Sequence, residues 1–586
     1  MSAPPRSAGW SLAQLAVLAG AAAVLAAPFL LFGALPGHST IYNVTWTSQF
    51  VAAVAGGTAY PRWLPDSFAG LGSPAFFFYA PLPFYWAWLH APLGVAAEGT
   101  FRLLGVSMAT MLLASGVTMR LWLGRHAGPR AATAGAVAYM AMPYHLLDLY
   151  QRASLGELAA YAVVPLVAIG VSRLAREGAR AIVPLAVSAA LLVTSHLPTA
   201  MAAATIVFPA QFVFEALRTC RSPAWLLRRS VQAIAAGVLA VGIAAVYLLP
   251  AIALQEHVSF YVMQDDFYDP RNWLLRAPGR WRNDLLLIFV ASLSSASGIL
   301  AFLCWLKASQ GRDGASVRFW SATAAFILLA IVGLVPGLWE PWSPFFRGQF
   351  PWRLLLFVEF AIVTAIVALG FAAWRRRRDG IAILTIVFVG VPAFVTLIGG
   401  TWIHIRSLES AAWQALRTAA IEGRPDALEY LPNGALIRYA HDGGYDVGRF
   451  AEMFRPYSFQ GIAWAEPESH ARVAAAARRD GGIGLEISAT RDVTIVIRRF
   501  YFPTWRLDAA DGTFAPPLEA HGPDRLLSFR VPAGQHALSL RWAPPWTVRV
   551  GEIVSIASLA LSALVIAIFR RRRHCGRQAC PREKNP

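Results

Sequence analysis

The sequence predicts an all-α polytopic membrane domain of about twelve transmembrane helices, with an inserted outward β-rich soluble domain before the last of them. Three observations lead there. Apolar stretches of about 18–25 residues recur along the chain, each long enough to span a bilayer core as a helix. Alternate gaps are crowded with basic residues: Arg125 and Arg130; Arg173, Arg176 and Arg180; Arg218, Arg221, Arg228 and Arg229; Lys307, Arg312 and Arg318; Arg375 to Arg378; Arg570 to Arg573. Such loops mark the cytoplasmic side, and the remaining gaps carry Trp, Tyr, Pro and Asp. Residues 402–547, in contrast, hold 16 Arg against 16 Asp and Glu. Their second half alternates apolar and polar residues as strands do.

The elements follow in order. The first span covers about 10–34. It has no small-residue cleavage site and outruns a signal-peptide core, so it reads as an uncleaved helix. Residues 35–99 form a long outward segment. Its aromatic stretch 75–95 is broken by prolines and reads as helices lying at the interface or re-entering, because backbone cannot stay unpaired against lipid. A full span there would turn every later basic loop outward. Further spans are expected near 100–123, 131–147, 157–173, 181–197, 199–217, 231–252, 284–306, 319–338, 353–373, 381–401 and 548–569. Residues 1–401 then form the membrane domain, 402–547 the outward soluble domain and 570–586 a basic tail, with both termini cytoplasmic. Inside the insertion, Leu408–Ala420 reads as mixed or helical. Gly484–Ser488, Val493–Ile497 and Ala537–Arg541 read as strands, with turns at Asp511-Gly512 and Pro532-Ala533-Gly534.

Composition agrees. The chain is 56% hydrophobic and 14% charged, with mean hydropathy +0.49, where a soluble protein carries about 25% charged residues. The formal charge of +18 lies outside 402–547, mostly in short basic loops. That is a topology signal and excludes a nucleic-acid footprint. Lys307 and Lys584 are the only lysines, and the Arg- and Ala-rich composition points to a GC-rich bacterial genome and a cytoplasmic (inner) membrane protein. Of Cys220, Cys304, Cys575 and Cys580, none falls in an outward loop, so no external disulfide is expected. Cys575 and Cys580 beside His574 suit either a metal or, better, a frayed tail.

Candidate chemistry lies in the outward loops. Asp66 is the first acidic residue of the chain, in an aromatic, Gly- and Pro-shaped loop. It suits a general base or a metal ligand, or else a helix cap. Arg152 and Glu157 stand at the membrane edge, where charges persist when paired or functional. His196, between Ser195 and Pro198, is a site residue or a hydrogen-bonded structural one. Asp265, Asp266 and Asp269 are the candidate ligands for a divalent cation, with a solvated loop as the equal alternative. Arg347 and Arg353 flank aromatics and suit a phosphate or pyrophosphate beside a lipid tail, or headgroup anchoring. No complete metal-ligand set, nucleotide-binding glycine motif or nucleophile elbow is present.

The runs Tyr60-Pro61-Arg62-Trp63, Gly70-Leu71-Gly72-Ser73-Pro74, Phe78-Tyr79-Ala80-Pro81-Leu82, Tyr150-Gln151-Arg152 through Glu157, Ser195-His196-Leu197-Pro198-Thr199, Phe350-Pro351-Trp352-Arg353 and Phe502-Pro503-Thr504-Trp505 resemble bacterial membrane proteins labelled 6-pyruvoyl-tetrahydropterin synthase-related. The architecture resembles the C-type (GT-C) membrane glycosyltransferases. The resemblance implies transfer of a sugar from a polyprenyl-phosphate donor to an envelope acceptor, on the outer face of the membrane. Asp66 and Glu157 would be the catalytic carboxylates, and Arg152, His196, Arg347, Arg353 and Tyr79 the substrate-binding residues. One departure stands out. GT-C enzymes usually carry an acidic residue soon after span one, but Gly37–Asn43 has none. Asp66 or a carboxylate from another loop takes that part, or the site is altered. The alternative function is a non-catalytic lipid-linked glycan transporter or assembly scaffold. A transporter calls for polar residues deep in the spans, and the spans read as nearly free of them.

Overall fold

The protein's structure, a computed structural model, describes residues 11–93, 97–264, 266–276, 285–308, 312–370, 399, 402, 406, 408–422, 424–435, 457, 460–478, 481–509 and 515–578. The chain is a mostly helical multi-pass membrane protein with a separate β-rich region. Its first part runs as α1 (Leu12–Leu25), α2 (Ala27–Phe32), α3 (Thr40–Ala55), α4 (Ser67–Gly70), α5 (Ala75–Phe78) and α6 (Leu82–Trp88). The bundle continues through α7 (Ala97–Leu123), α8 (Pro129–Met140), α9 (Pro143–Leu147), α10 (Leu155–Glu177), α11 (Ile182–Ser195) and α12 (Leu197–Ala202). It is completed by α13 (Phe208–Thr219), α14 (Pro223–Ile243), α15 (Ala245–Leu254), α16 (Leu285–Lys307), α17 (Arg312–Val332) and α18 (Leu355–Leu369). Helix α19 (Ala411–Glu422) precedes the strands, and α20 (Trp546–Gln578) follows them.

Among the described residues, eight helical runs are long and apolar enough to cross a membrane: Gly99–Leu123, Leu155–Ser195, Leu197–Thr219, Pro223–Ile243, Ile288–Lys307, Gly314–Val332, Pro351–Leu369 and Trp546–Arg571. The run Leu155–Ser195 turns back at Gly178, whose φ is +66°, so that α10 and α11 pack on each other. Among the described residues these runs do not make up the twelve expected single spans. The stretch 131–147 breaks at Pro143, because proline cannot continue the hydrogen-bond ladder of α8. Helix α1 has 14 residues. The expected span 381–401 lies outside the described residues apart from 399. Helices α5 and α6 have four and seven residues, and seven residues reach about 10 Å, too short to cross.

Burial separates centre from periphery. Trp122, Trp320, Tyr139 and Phe360 pack ring to ring among α7, α8, α17 and α18. Only 11% of the most apolar stretch of Pro223–Ile243 and of Trp546–Arg571 is buried. Leu227, Val231, Ile234, Val238 and Val241 of α14 stay exposed at helical spacing, as a face in hydrocarbon requires. Helix α20 is pinned to α15. Gly551 lies against it so closely that a Cβ would sit 2.7 Å from the Ala245 carbonyl oxygen, and Ser555 Oγ accepts the Val246 N–H at 2.8 Å. Arg62 ties this pair to the first loop, bonding Glu552 and the Val246 carbonyl, both at 3.2 Å.

The β-rich region is a sandwich of two four-stranded antiparallel sheets, β1-β4-β7-β6 and β2-β3-β8-β5. The strands are β1 (Ala463–Glu466), β2 (Ala471–Ala477), β3 (Ile483–Ala489), β4 (Val493–Phe500), β5 (Trp505–Ala509), β6 (Glu519–His521), β7 (Leu526–Val531) and β8 (Gly534–Trp542). Ile483, Leu485, Ile487, Ile495, Ile497 and Leu540 fill the space between the sheets. The turn at Asp511-Gly512 lies outside the described residues. The outer face of the first sheet is also covered. Val496, Phe500 and Leu526 pack with Phe68 and Leu71 of the first loop and with Leu428 and Leu431, and the Phe500 N–H bonds the Leu71 carbonyl at 2.9 Å. Gly72 permits this join. Its φ is +85°, and a Cβ there would meet the Trp63 ring at 2.3 Å.

Candidate functional site

A cavity of about 630 Å³ opens where the first loop, the α11–α12 junction, the loop after α15, the start of α18 and residues 427–430 meet. Arg152, His196 and Arg353 form one side, while Tyr42, Trp46, Tyr79, Tyr247, Tyr268 and Trp273 supply aromatic walls. Glu429 and Tyr430 come from the segment before the sandwich.

The cationic side is built on α9, a π-helical turn at Asp148–Arg152, and the first turn of α10. The turn ends at Ala153, held left-handed at φ +49°, and the Ala153 carbonyl accepts Asn43 Nδ2 at 2.7 Å. Main-chain bonds from His38 to Gln151 and from Ser39 to Arg152 tie it to α3. Arg152 lies 2.5 Å from Asp148 and 2.7 Å from Glu157, and donates to the Tyr144 hydroxyl at 2.7 Å. That hydroxyl donates to Glu157 at 2.8 Å. Arg353 Nε stands 3.3 Å from Glu157, and its Nη1 donates to the Gly348 carbonyl and to Gln349. Burial works against the Arg152 charge, but Glu157, Tyr144 and Asp148 outweigh it and hold its pKa well above the ordinary value.

His196 is extended between α11 and α12, with Nδ1 2.8 Å from Thr199 Oγ1. It fits over α10 because Gly156 has no side chain; a Cβ there would come 3.1 Å from the ring. Burial pushes its pKa down to about 3, with Glu157 opposing and Arg353 and Arg152 adding. The imidazole is therefore neutral at pH 7.

The acidic side comes from Asp426 and Glu429. Asp426 accepts Trp46 Nε1 and the Ala427 N–H, both at 2.7 Å. Burial raises it to about 6, opposed by those donors and by Ser67 and Ser73. Burial raises Glu429 to about 7, opposed by its own backbone N–H and helped by Asp426. Residues 428–433 are strapped to the loop after α15: Ser259 N–H to the Leu431 carbonyl and Asn433 N–H to the His257 carbonyl, each at 2.9 Å. Tyr430 stacks on Phe78 at 6.0 Å.

The structure gathers Tyr79, Arg152, His196 and Arg353 on one cavity, with Glu157 directly beneath. It does not bring Asp66 there. Asp66 is half-exposed, ion-paired with Arg424, and its side chain caps nothing. Arg347 is exposed on the turn Pro344–Gly348, away from the lining. Asp269 is clamped by Arg271 at 2.7 Å and accepts its N–H, which occupies the oxygens a cation would need. Asp266 is exposed, and Asp265 lies outside the described residues. Among the described residues no three His, Cys, Asp or Glu side chains come together as metal ligands. Two sites went unread in the sequence. Glu429 sits in the proline-bounded run Pro425–Pro432. Glu359 lies inside the span Pro351–Leu369, which corrects the expectation of clean spans. It accepts the N–H groups of Tyr144 and His145 at the start of α9 and the Tyr161 hydroxyl. As the one carboxylate in its apolar run, it was a visible signal.

No family model and no curated protein matches the chain, so the family resemblance drawn from the loop motifs gains no support there. Among solved structures, similarity is found to the arabinofuranosyltransferase AftD from Mycobacteria (20% identity, 68% of this chain and 27% of that one, TM-score 0.39). A second AftD structure gives 17% identity, 68% and 28% coverage, and TM-score 0.41. The Archaeoglobus fulgidus oligosaccharyltransferase in complex with Zn and sulfate gives 14% identity, 66% and 53% coverage, and TM-score 0.35. The chain spans about a quarter to a half of the length of these proteins. At such TM-scores the likenesses fix neither fold nor function.

Proposed function

We propose that the protein is a glycosyltransferase of the bacterial cytoplasmic membrane, moving a sugar from a polyprenyl-phosphate donor to a hydroxyl-bearing envelope acceptor. The reaction takes place at the end of the bundle that carries the sandwich, on the outer face by the distribution of basic loops. The observation that carries this reading is the pairing of Arg152 and Arg353 on one side of a cavity whose other walls are aromatic. Guanidiniums suit a phosphate, and aromatic faces with a few placed polar groups suit a bound ring. A second, apolar groove of about 860 Å³ runs among α10, α11, α13 and α14. Its lining residues Leu192, Val193 and Ala200 lie about one turn from His196 and Pro198 of the cavity, so it suits the prenyl tail. As the sugar leaves, the phosphate gains charge, and the guanidiniums stabilise that charge in a site shielded from water.

The test is binding of a polyprenyl-phosphate sugar to the full chain in nanodiscs. The unaltered protein should bind it, and Arg353→Ala should weaken binding by about 2 kcal/mol, roughly thirtyfold. Equal affinity in the two proteins would remove the phosphate from this cavity. Binding without release of polyprenyl phosphate in the presence of acceptor would favour a transport or scaffold role.

A further inference from the structure

We infer that Glu429 is the base that takes the proton from the acceptor hydroxyl. The assignment rests on the reading of the cavity as a glycosyl-transfer site. Among the described residues Glu429 is the one carboxylate that lines the cavity. Glu157 lies beneath the wall, fully buried and engaged by Arg152, Arg353 and Tyr144. Asp148 and Asp426 are buried behind the lining. Asp66 is paired with Arg424. His196 does line the cavity, but burial, with the Arg353 and Arg152 charges adding, makes its imidazole a weak base there.

Glu429 is also held in place. The two straps to the loop after α15, the Asp426–Trp46 bond to α3 and the Tyr430–Phe78 stack fix its short 3₁₀ turn from three sides. The ionisable groups that face it are Asp426 on its own segment, Tyr42 on α3, Tyr79 after α5, and Tyr430. No cation is paired with it among the described residues, so its carboxylate is not neutralised as Glu157 is. In the transfer, the acceptor oxygen forms a bond to the anomeric carbon as the bond from that carbon to the phosphate oxygen breaks. The electron pair leaves with polyprenyl phosphate. The hydroxyl proton passes to the Glu429 carboxylate and then to water. A carboxylate raised to about 7 by burial is well matched to that task near neutral pH.

The experiment uses the full chain in nanodiscs with polyprenyl-phosphate sugar and acceptor, reading donor binding and single-turnover release of polyprenyl phosphate separately. Glu429→Gln should bind donor as the unaltered protein does and release it at least about a hundredfold more slowly. In the unaltered protein the rate should climb with pH to half its maximum near 7. Asp426→Asn should move that limb to lower pH, because the Asp426 charge helps to raise Glu429. Transfer by Glu429→Gln within threefold of the unaltered rate overturns the assignment and leaves the cavity's function standing. If that variant does not fold, a flat profile between pH 6 and 8 in the unaltered protein overturns it equally. No donor binding by the unaltered protein overturns the function of the cavity and the assignment with it.

Discussion

Arg152 meets two carboxylates and a phenol at once with only 10% of its side chain exposed. Removing one partner of a buried ion pair leaves uncompensated charge and costs about 3–5 kcal/mol. Arg152→Ala should therefore lower stability by about that amount, read as a drop in the unfolding temperature of the detergent-solubilised chain. Arg152→Lys should recover less than half, since one ammonium cannot reproduce the planar fork. An unchanged unfolding temperature in the alanine variant would show that Asp148 and Glu157 do not depend on Arg152. At this scale the sequence was readable where partners are close along the chain. Asp148, Arg152 and Glu157 fall within ten residues, so local spacing brings them together. It was not readable where they are distant. Asp426 meets Trp46 from 380 residues away, and nothing in either neighbourhood announces the other. Asp66 misled for the opposite reason: its isolation from other acids gave it prominence, while Arg424, 358 residues on, had already claimed it.

Sheet β1-β4-β7-β6 is buried on both faces, by the second sheet and by the first loop. Val496, with Phe500, turns from β4 toward Phe68, Leu71 and Leu431 and is fully buried. Val496→Asp would place an unpaired charge there, and the expected outcome is undocking of the sandwich. Hydrogen exchange should then show β4 amides losing protection while those of α10 keep theirs. Full protection of β4 in the variant would mean that the contact is dispensable. Strands β3 and β8 were legible because one face of each is buried and the period-two pattern survives, while β4, buried on both faces, was legible from its run of β-branched residues. Strand β2 was not. Ala471–Ala477 is rich in alanine, the strongest helix former, and becomes a strand through its seven-residue ladder with β3. The helices show the same division. Long apolar runs such as Gly99–Leu123 were plain, whereas α8 and α9 part at a proline within a run that looked long enough to cross.

At the scale of the whole bundle, the charge alternation of the loops predicts which end faces outward. Reporter fusions should place Gly128 and Ala224 in the cytoplasm and Asp269 outside; the same side for Ala224 and Asp269 would reverse the orientation on which the proposed reaction depends. The charged groups of the cavity also impose an order of assembly on the growing chain. Asp148, Arg152 and Glu157 emerge from the ribosome together and can neutralise one another as α10 enters the bilayer. Arg353 and Glu359 appear some two hundred residues later, and their partners, Glu157 and the amides that open α9, are by then already in place. Pro351–Leu369 is strongly apolar apart from these two charges, and its carboxylate, six residues beyond the guanidinium, is the group that hydrocarbon would leave without a partner. The earlier helices offer that carboxylate the hydrogen bonds that hydrocarbon lacks. The polar groups at the start of α9 and α10 thus also serve as the dock for a charge-bearing segment that the chain supplies some two hundred residues later.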